Sequence, residues 1–449
     1  MVRNPWRFLL ISLLAAWTVD FLFWQKSIGI SFFIWAVLLV VGALVLSRGE
    51  GTKAASQSYI LLAAIIILAA ISFIRQEPFT KTLSVLLALG LIFLLINTFT
   101  NGYWMRFRFI DYLSGAFQTL IASVARPADL SKPAEGSEAA AANGTAPRRK
   151  VLRQVMPVFR GLLLAVPVLL VLGGLLVSAD PIFSGWVENW LKAFDIEHIG
   201  EYLLRTAYVL VLAYLFTGLY LYTVKPAQRA EKPNPDQPVI KGFLGWTETA
   251  VVLVSTNLLF AVFLFVQFRY FFGGEANISE TGFTYAEYAR RGFNELITVA
   301  VLSLLMYLVL GVITKLTDKG PRTGFTVLST VLIAQLMVML VSAFQRLLLY
   351  EEAYGFTRIR LASHTFMVWL GVLLAAAVLL ELVGKRGWFM LAGVTALFGF
   401  VITLAVMNVD SQVLQRNIAR APGLALRQSS TVAMGDEQTV DVEYLKTLS

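Results

Sequence analysis

Residues 283–313, FTYAEYARRGFNELITVAVLSLLMYLVLGVI, are the stretch from which the fold can be read. The second half, 297–313, is an apolar run close to the roughly 18 to 20 residues that a helix needs to cross a bilayer core. The first half holds a dense polar cluster of Glu287, Arg290, Arg291, Asn294 and Glu295. Thr284 and Glu287 stand in the spacing of a capping box, which predicts a helix start there. Glu287, Arg291 and Glu295 follow one another at the i, i+4 interval, so a helix stacks them along one face. A membrane helix that opens on such a cluster either caps itself at the surface or builds a site.

The whole chain has the same character. Of its 449 residues 57% are hydrophobic and 14% charged, with a mean hydropathy of +0.71. Soluble domains carry about a quarter charged residues, so this is a membrane composition. Apolar runs long enough to span recur about eleven times: 8–24, 28–46, 58–74, 83–99, 158–177, 203–224, 243–268, 295–313, 325–344, 361–383 and 388–407. The predicted fold class is therefore all-α, a polytopic bundle of transmembrane helices. The N-terminal run resembles a signal peptide but has no small-residue cleavage site and leads straight into another span, which predicts that it is retained.

With the N-terminus inside, the cytoplasmic segments take the larger share of Lys and Arg, including Arg3, Arg7, Arg48, Lys53, the basic run 106–160, Lys225, Lys315, Arg322 and Arg386. An odd number of spans then puts the C-terminus outside. The +9 net charge reads as topology and contact with anionic lipids at the cytoplasmic face, not as a nucleic-acid surface. There are no cysteines, which excludes disulfides, iron–sulfur clusters and thiol chemistry. His198 and His364 are the 2 histidines, too few for a histidine-rich zinc site. No nucleotide loop, metal signature or nucleophile motif occurs, and no cofactor is expected.

Between the spans, Tyr103, Phe107, Ile110, Phe117, Ile121 and Val124 recur at helical spacing with Arg106, Arg108 and Asp111 interleaved, which predicts a helix lying on the cytoplasmic surface. Phe183, Trp186, Val187, Trp190, Leu191 and Phe194 form a similar stripe on the outer side. Residues 126–150 and 226–238 are rich in Pro, Ala and charge without apolar periodicity, and read as linkers. The expected organisation is a four-span segment with its interfacial helix (1–125), a disordered cytoplasmic linker (126–152), a seven-span core (153–410) and an extracytoplasmic tail (411–449). Within that tail Val413, Leu414, Asn417 and Ile418 predict a short helix ending near Pro422.

Under this topology the opening cluster has company. Residues 325–354 read as one helix, capped by Gly355, with Thr357 starting the next. Its outer end carries Tyr350, Glu351, Glu352 and Tyr354, and the returning helix carries Arg358, Arg360 and His364. Antiparallel neighbours put Glu351 or Glu352 within reach of Arg358 or Arg360. Asp410, with Gln412, Arg416 and Asn417, begins the tail on the same side. The candidate ligand-binding set is thus Glu287, Arg290, Arg291, Asn294, Glu295, Tyr350, Glu351, Glu352, Arg358, Arg360, His364 and Asp410. Asn257 and Gln335 lie mid-span and read as helix–helix contacts; no chain of acids crosses the membrane as a proton relay requires.

The stretches SADPIF (178–183), TYAEYARRGF (284–293), YEEAYGFTRIRL (350–361), NVDSQVLQRNI (408–418) and DVEYLKTLS (441–449) resemble an uncharacterised family of bacterial polytopic membrane proteins, domain of unknown function 4173, with its relative 4153. The resemblance runs from about residue 158 to the end. It implies a bacterial cell membrane but no activity, cofactor or catalytic residue, and the relatives' greater length implies an outer domain beyond Ser449. Three functions follow as expectations. The first is an outward-facing binding or transport-type protein for a polar or anionic ligand, such as a lipid headgroup or envelope precursor. The second is a structural or signalling component that recruits envelope proteins through its tail and linkers. The third, an enzyme on a lipid-linked substrate with Glu295 or Glu352 as general base, is the least favoured.

Overall fold

A computed structural model describes residues 2–106, 109–131, 161, 165, 169, 172–173, 175–192, 199–225, 242–272, 293–316 and 318–420. The predicted capping box at Thr284 and Glu287, the linkers at 132–152 and 226–238, and residues 421–449 lie outside them. Among the described residues 10 helices are long and apolar enough to cross a membrane. The predicted span 158–177 falls mostly outside, although its described positions are helical. The described residues form two compact units: 1–74 with 88–104 and 112–232, and 75–87 with 105–111 and 233–449.

The first unit contains α1 (Pro5–Phe23), α2 (Ile30–Glu50), α3 (Ser56–Ile74), the second half of α4 (Pro78–Thr98), α5 (Phe109–Ala125), α6 (Pro181–Lys192) and α7 (Ile199–Val224). Small side chains let these helices approach. Ser12, Ala15 and Ala16 of α1 and Ala36 and Ala43 of α2 are buried, while Leu10, Leu14, Trp17 and Phe21 of α1 point outward. Apolar bulk outside and small residues inside is the pattern of a bundle solvated by lipid, where close backbone approach replaces a hydrophobic driving force. The α5 helix repeats it. Gly115, Thr119, Ala122 and Ser123 face the protein, while Phe117, Leu120, Ile121 and Val124 are exposed. At the crossing with α7, Gly218 lies against the Ser123 backbone so closely that a Cβ there has no space.

Polar groups at the ends of this unit are paired. Asp20, near the end of α1, takes both arms of Arg205 from α7, Nε at 2.9 Å and Nη2 at 2.6 Å, and also accepts from the Tyr208 hydroxyl. Glu201 receives the Trp24 indole N–H at 3.0 Å, and the Arg205 guanidinium lies over the Trp24 ring. At the opposite ends of α1 and α7, Glu50 accepts the backbone N–H groups of Arg3 and Asn4 and pairs with Lys225.

The second unit is built on α8 (Trp246–Phe272), α9 (Phe293–Ile313), α10 (Lys319–Tyr354), α11 (Arg358–Leu382), α12 (Phe389–Met407) and α13 (Val409–Arg420). Phe325, Leu332, Ile333, Leu336 and Ala343 of α10 are fully buried among Leu253, Leu304, Leu374 and Ala377, so α10 is the central helix. It runs 36 residues, about 54 Å at the rise of an α-helix. The predicted span began only at residue 325 because Lys319-Gly320-Pro321-Arg322 reads as a loop. A proline in the first turn loses no helical hydrogen bond, so the helix starts there. Mid-span, Asn257 Nδ2 donates to the Leu328 carbonyl at 3.1 Å and Gln335 Nε2 to that of Asn257 at 3.1 Å, the expected amide link between helices.

The two glycines test the packing. Gly218→Ala should cost about 1–3 kcal/mol, the usual cost of overpacking. Gly90→Ala on α4, where a Cβ meets nothing within 4 Å, should be neutral or stabilising by up to about 1 kcal/mol through helix propensity. Unfolding curves of the two variants in one detergent check the contrast.

Candidate functional site

The connection from α10 to α11 is a single tight turn. Gly355 ends α10 at φ +77° and ψ −177°, a conformation essentially restricted to glycine, and its N–H reaches the Glu351 carbonyl at 2.8 Å. Thr357 caps α11, accepting the Arg360 N–H. The turn is then tied to α13 from both sides. Phe356 N–H donates to Asn417 Oδ1 at 2.9 Å and Asn417 Nδ2 donates to the Phe356 carbonyl at 2.8 Å. Asn417 is buried and Arg416 lies over the Phe356 ring. Val409 and Val413 fix α13 against Leu361, Phe400 and Leu404.

This frame carries the chemistry. Glu351 and His364 meet across the hairpin with Nε2 and Oε2 2.7 Å apart, and both are buried, at 2% and 9% exposure. Side chains on a helix lean toward its N-terminus. Glu351 on α10 therefore leans down into the bundle and His364 on α11 leans up, which is why the acid finds this histidine. The Phe344 ring lies edge-on to the imidazole at 4.7 Å. The other ring nitrogen, Nδ1, is buried with no partner among the described residues. Arg346, farther down α10, is buried as well.

Arg358, at the first turn of α11, reaches Asp410 of α13, Nε to Oδ1, at 2.6 Å. Arg360 donates to the carbonyls of Tyr354 and Gly355, and its guanidinium stands 4.1 Å from the centre of the Tyr350 ring. Tyr350 and Tyr354 pack ring to ring at 5.0 Å. Of the predicted set, Tyr350, Glu351, Arg358, Arg360, His364 and Asp410 are thus gathered at one end of α10, α11 and α13. Glu295 lies in the first turn of α9 and is exposed. Asn294 and Glu352 lie in α9 and α10, with side chains outside the description. Glu287, Arg290 and Arg291 lie outside the described residues. Among the described residues no group of His, Asp and Glu is arranged to hold a metal ion.

At the other end of the same unit Glu381 is buried and fully engaged. It accepts from the Tyr307 hydroxyl at 2.7 Å, from Thr326 at 2.8 Å and from Arg386 Nε at 2.7 Å. Its partners carry no mark in the sequence, because Tyr307 and Thr326 sit inside apolar runs on different helices. The pairing of Asp20 with Arg205 is hidden for the same reason, the two being 185 positions apart.

Outward-facing apolar side chains on helices of spanning length, with polar groups paired at their ends, define an integral, multi-pass helical membrane protein. The chain belongs to the family described as domain of unknown function (DUF4153), whose model matches residues 62–449. This is the relative of the family that the motifs resemble, and the match begins within α3 rather than near residue 158. No curated protein and no solved structure matches the chain.

Burial separates the two kinds of ion pair. Glu381→Ala removes the fully buried acceptor shared by Tyr307, Thr326 and Arg386 and leaves the buried Tyr307 hydroxyl unsatisfied, which should cost about 1–3 kcal/mol. Arg358→Gln, in a pair exposed by 26% and 27% on its two sides, should cost at most about 1 kcal/mol. Chemical or thermal unfolding in nanodiscs gives both values.

Proposed function

We propose that the α10–α11–α13 end is the extracytoplasmic face of a bacterial cell-membrane protein and binds a polar, anionic ligand of the lipid-headgroup or envelope-precursor kind. One observation carries the reading. His364 is buried beside a buried carboxylate, yet its Nδ1 has no partner among the described residues. A side chain kept only as a strut is expected to have its polar atoms satisfied, since a stranded one costs about 1–3 kcal/mol. With Nε2–H held by Glu351, the imidazole presents Nδ1 to a ligand, as acceptor when neutral and as donor when protonated. Arg346, Arg358 and Arg360 supply cationic donors on the same two helices, a residue type suited to phosphate and carboxylate.

A structural reading also has an observation in its favour. The Asn417–Phe356 exchange and the Arg358–Asp410 pair tie α13 to the hairpin, as a clasp for a recruiting tail does. The enzymatic reading has less support, since Glu295 is exposed and a general base works best enclosed.

Thermal unfolding with glycerol phosphate as probe separates these readings. A site predicts a rise in the midpoint that saturates with probe, worth about 2.7 kcal/mol at a hundredfold excess over Kd. His364→Ala should abolish that rise. A clasp predicts no response to the probe in the unmodified protein and an equal loss of stability in His364→Ala with and without it.

A further inference from the structure

The first unit holds a cleft of about 390 Å³ between α5, the 3-10 turn Arg126–Ser131 that follows it, and α7. Its lining is divided by chemistry. Ile121 and Ala122 make the apolar side, while Gln118, Arg126, Asp129 and Tyr222 make the polar side. Arg126 is anchored by Nη1 to the Lys225 carbonyl, its Nε lies 4.0 Å from Asp129, and its guanidinium stands 5.6 Å from the centre of the Tyr222 ring. The Tyr222 hydroxyl is within 3.4 Å of Gln118 Oε1. The apolar side continues out of the cleft. Ile121 belongs to the exposed stripe of Phe117, Leu120, Ile121 and Val124, with exposures from 50% to 69%.

We propose that this cleft seats the headgroup of a phosphoethanolamine phospholipid, its phosphate on Arg126 and its ammonium on Asp129, with an acyl chain along the α5 stripe. The stripe selects a lipid over a soluble ligand. Four large apolar side chains on one helical face, turned away from the protein, stay out of water only in the bilayer boundary, and an acyl chain covers them there. The polar side selects the headgroup. Arg126 brings a guanidinium, the cation best suited to phosphate, held in place by its Nη1 and Nε contacts. Asp129 in the same cleft repels a purely anionic headgroup and suits a primary ammonium. One positive and one negative side chain, set close together, match a zwitterion whose phosphate and amine are joined by a two-carbon link. The inference concerns the first unit alone and rests on neither the sidedness nor the ligand proposed for the α10–α11 hairpin.

Native mass spectrometry of the full chain reconstituted with equal amounts of phosphatidylethanolamine, phosphatidylglycerol and phosphatidylcholine of matched acyl chains reads the preference directly. The expected result is about tenfold stronger retention of phosphatidylethanolamine over both others. Arg126→Gln should reduce retention of all three to the same low level. Asp129→Asn, at a side chain 38% exposed, should remove the discrimination by raising phosphatidylglycerol retention. Equal retention of the three lipids by the unmodified protein, or a preference for phosphatidylglycerol, overturns the proposal. So does an Asp129→Asn variant that keeps the original order.

Discussion

A chain that crosses lipid must satisfy every backbone N–H and C=O within itself, because hydrocarbon offers no partner. That constraint makes the spanning segments helical and decides what their polar side chains can do. Mid-span, Asn257 and Gln335 survive by donating to carbonyls on a neighbouring helix. Charged groups gather toward helix ends, where Asp20 is met by Arg205, Glu50 by Lys225 and Glu381 by Arg386. In each case a carboxylate draws on more than one donor, and the donors come from segments other than the carboxylate's own helix. These knots bind the helices together where apolar contact alone distinguishes poorly between protein and lipid.

The hairpin at Gly355 handles its charges in two ways. Glu351 and His364 are drawn inside and meet there, with the Phe344 ring edge-on to the imidazole. Arg358 and Asp410 meet less deeply, with about a quarter of each side chain exposed, and their pair registers α13 against the turn. Asn417 completes that registration with a bond in each direction. Buried chemistry and peripheral fastening thus occupy neighbouring positions of one short segment.

Helix class and the rough span positions were legible because apolar runs of membrane length have few alternative readings. The cap at Gly355 and the start at Thr357 were legible for local reasons, one a backbone geometry and the other a side-chain oxygen. Partners were not. Reading the hairpin as a ladder put Glu351 or Glu352 opposite the arginines, whereas the lean of helical side chains carries Glu351 toward His364. Arg205 and Tyr307 carry no sequence mark of their partners, since nothing local announces a carboxylate on another helix. The length of α10 was hidden by Gly320 and Pro321, which signal a loop except in a first turn.

That length has a mechanical side. Thr326, a ligand of Glu381, and Glu351, the partner of His364, sit near opposite ends of α10. They are separated by one unbroken helix and not by a chain of flexible links. A rod of about 54 Å in a hydrocarbon layer of about 30 Å has to lean or project, and its inclination is shared by everything fastened to it. A change of tilt at the Glu381 knot therefore arrives at the hairpin as a displacement of the Glu351 carboxylate, the way a lever carries motion past its pivot.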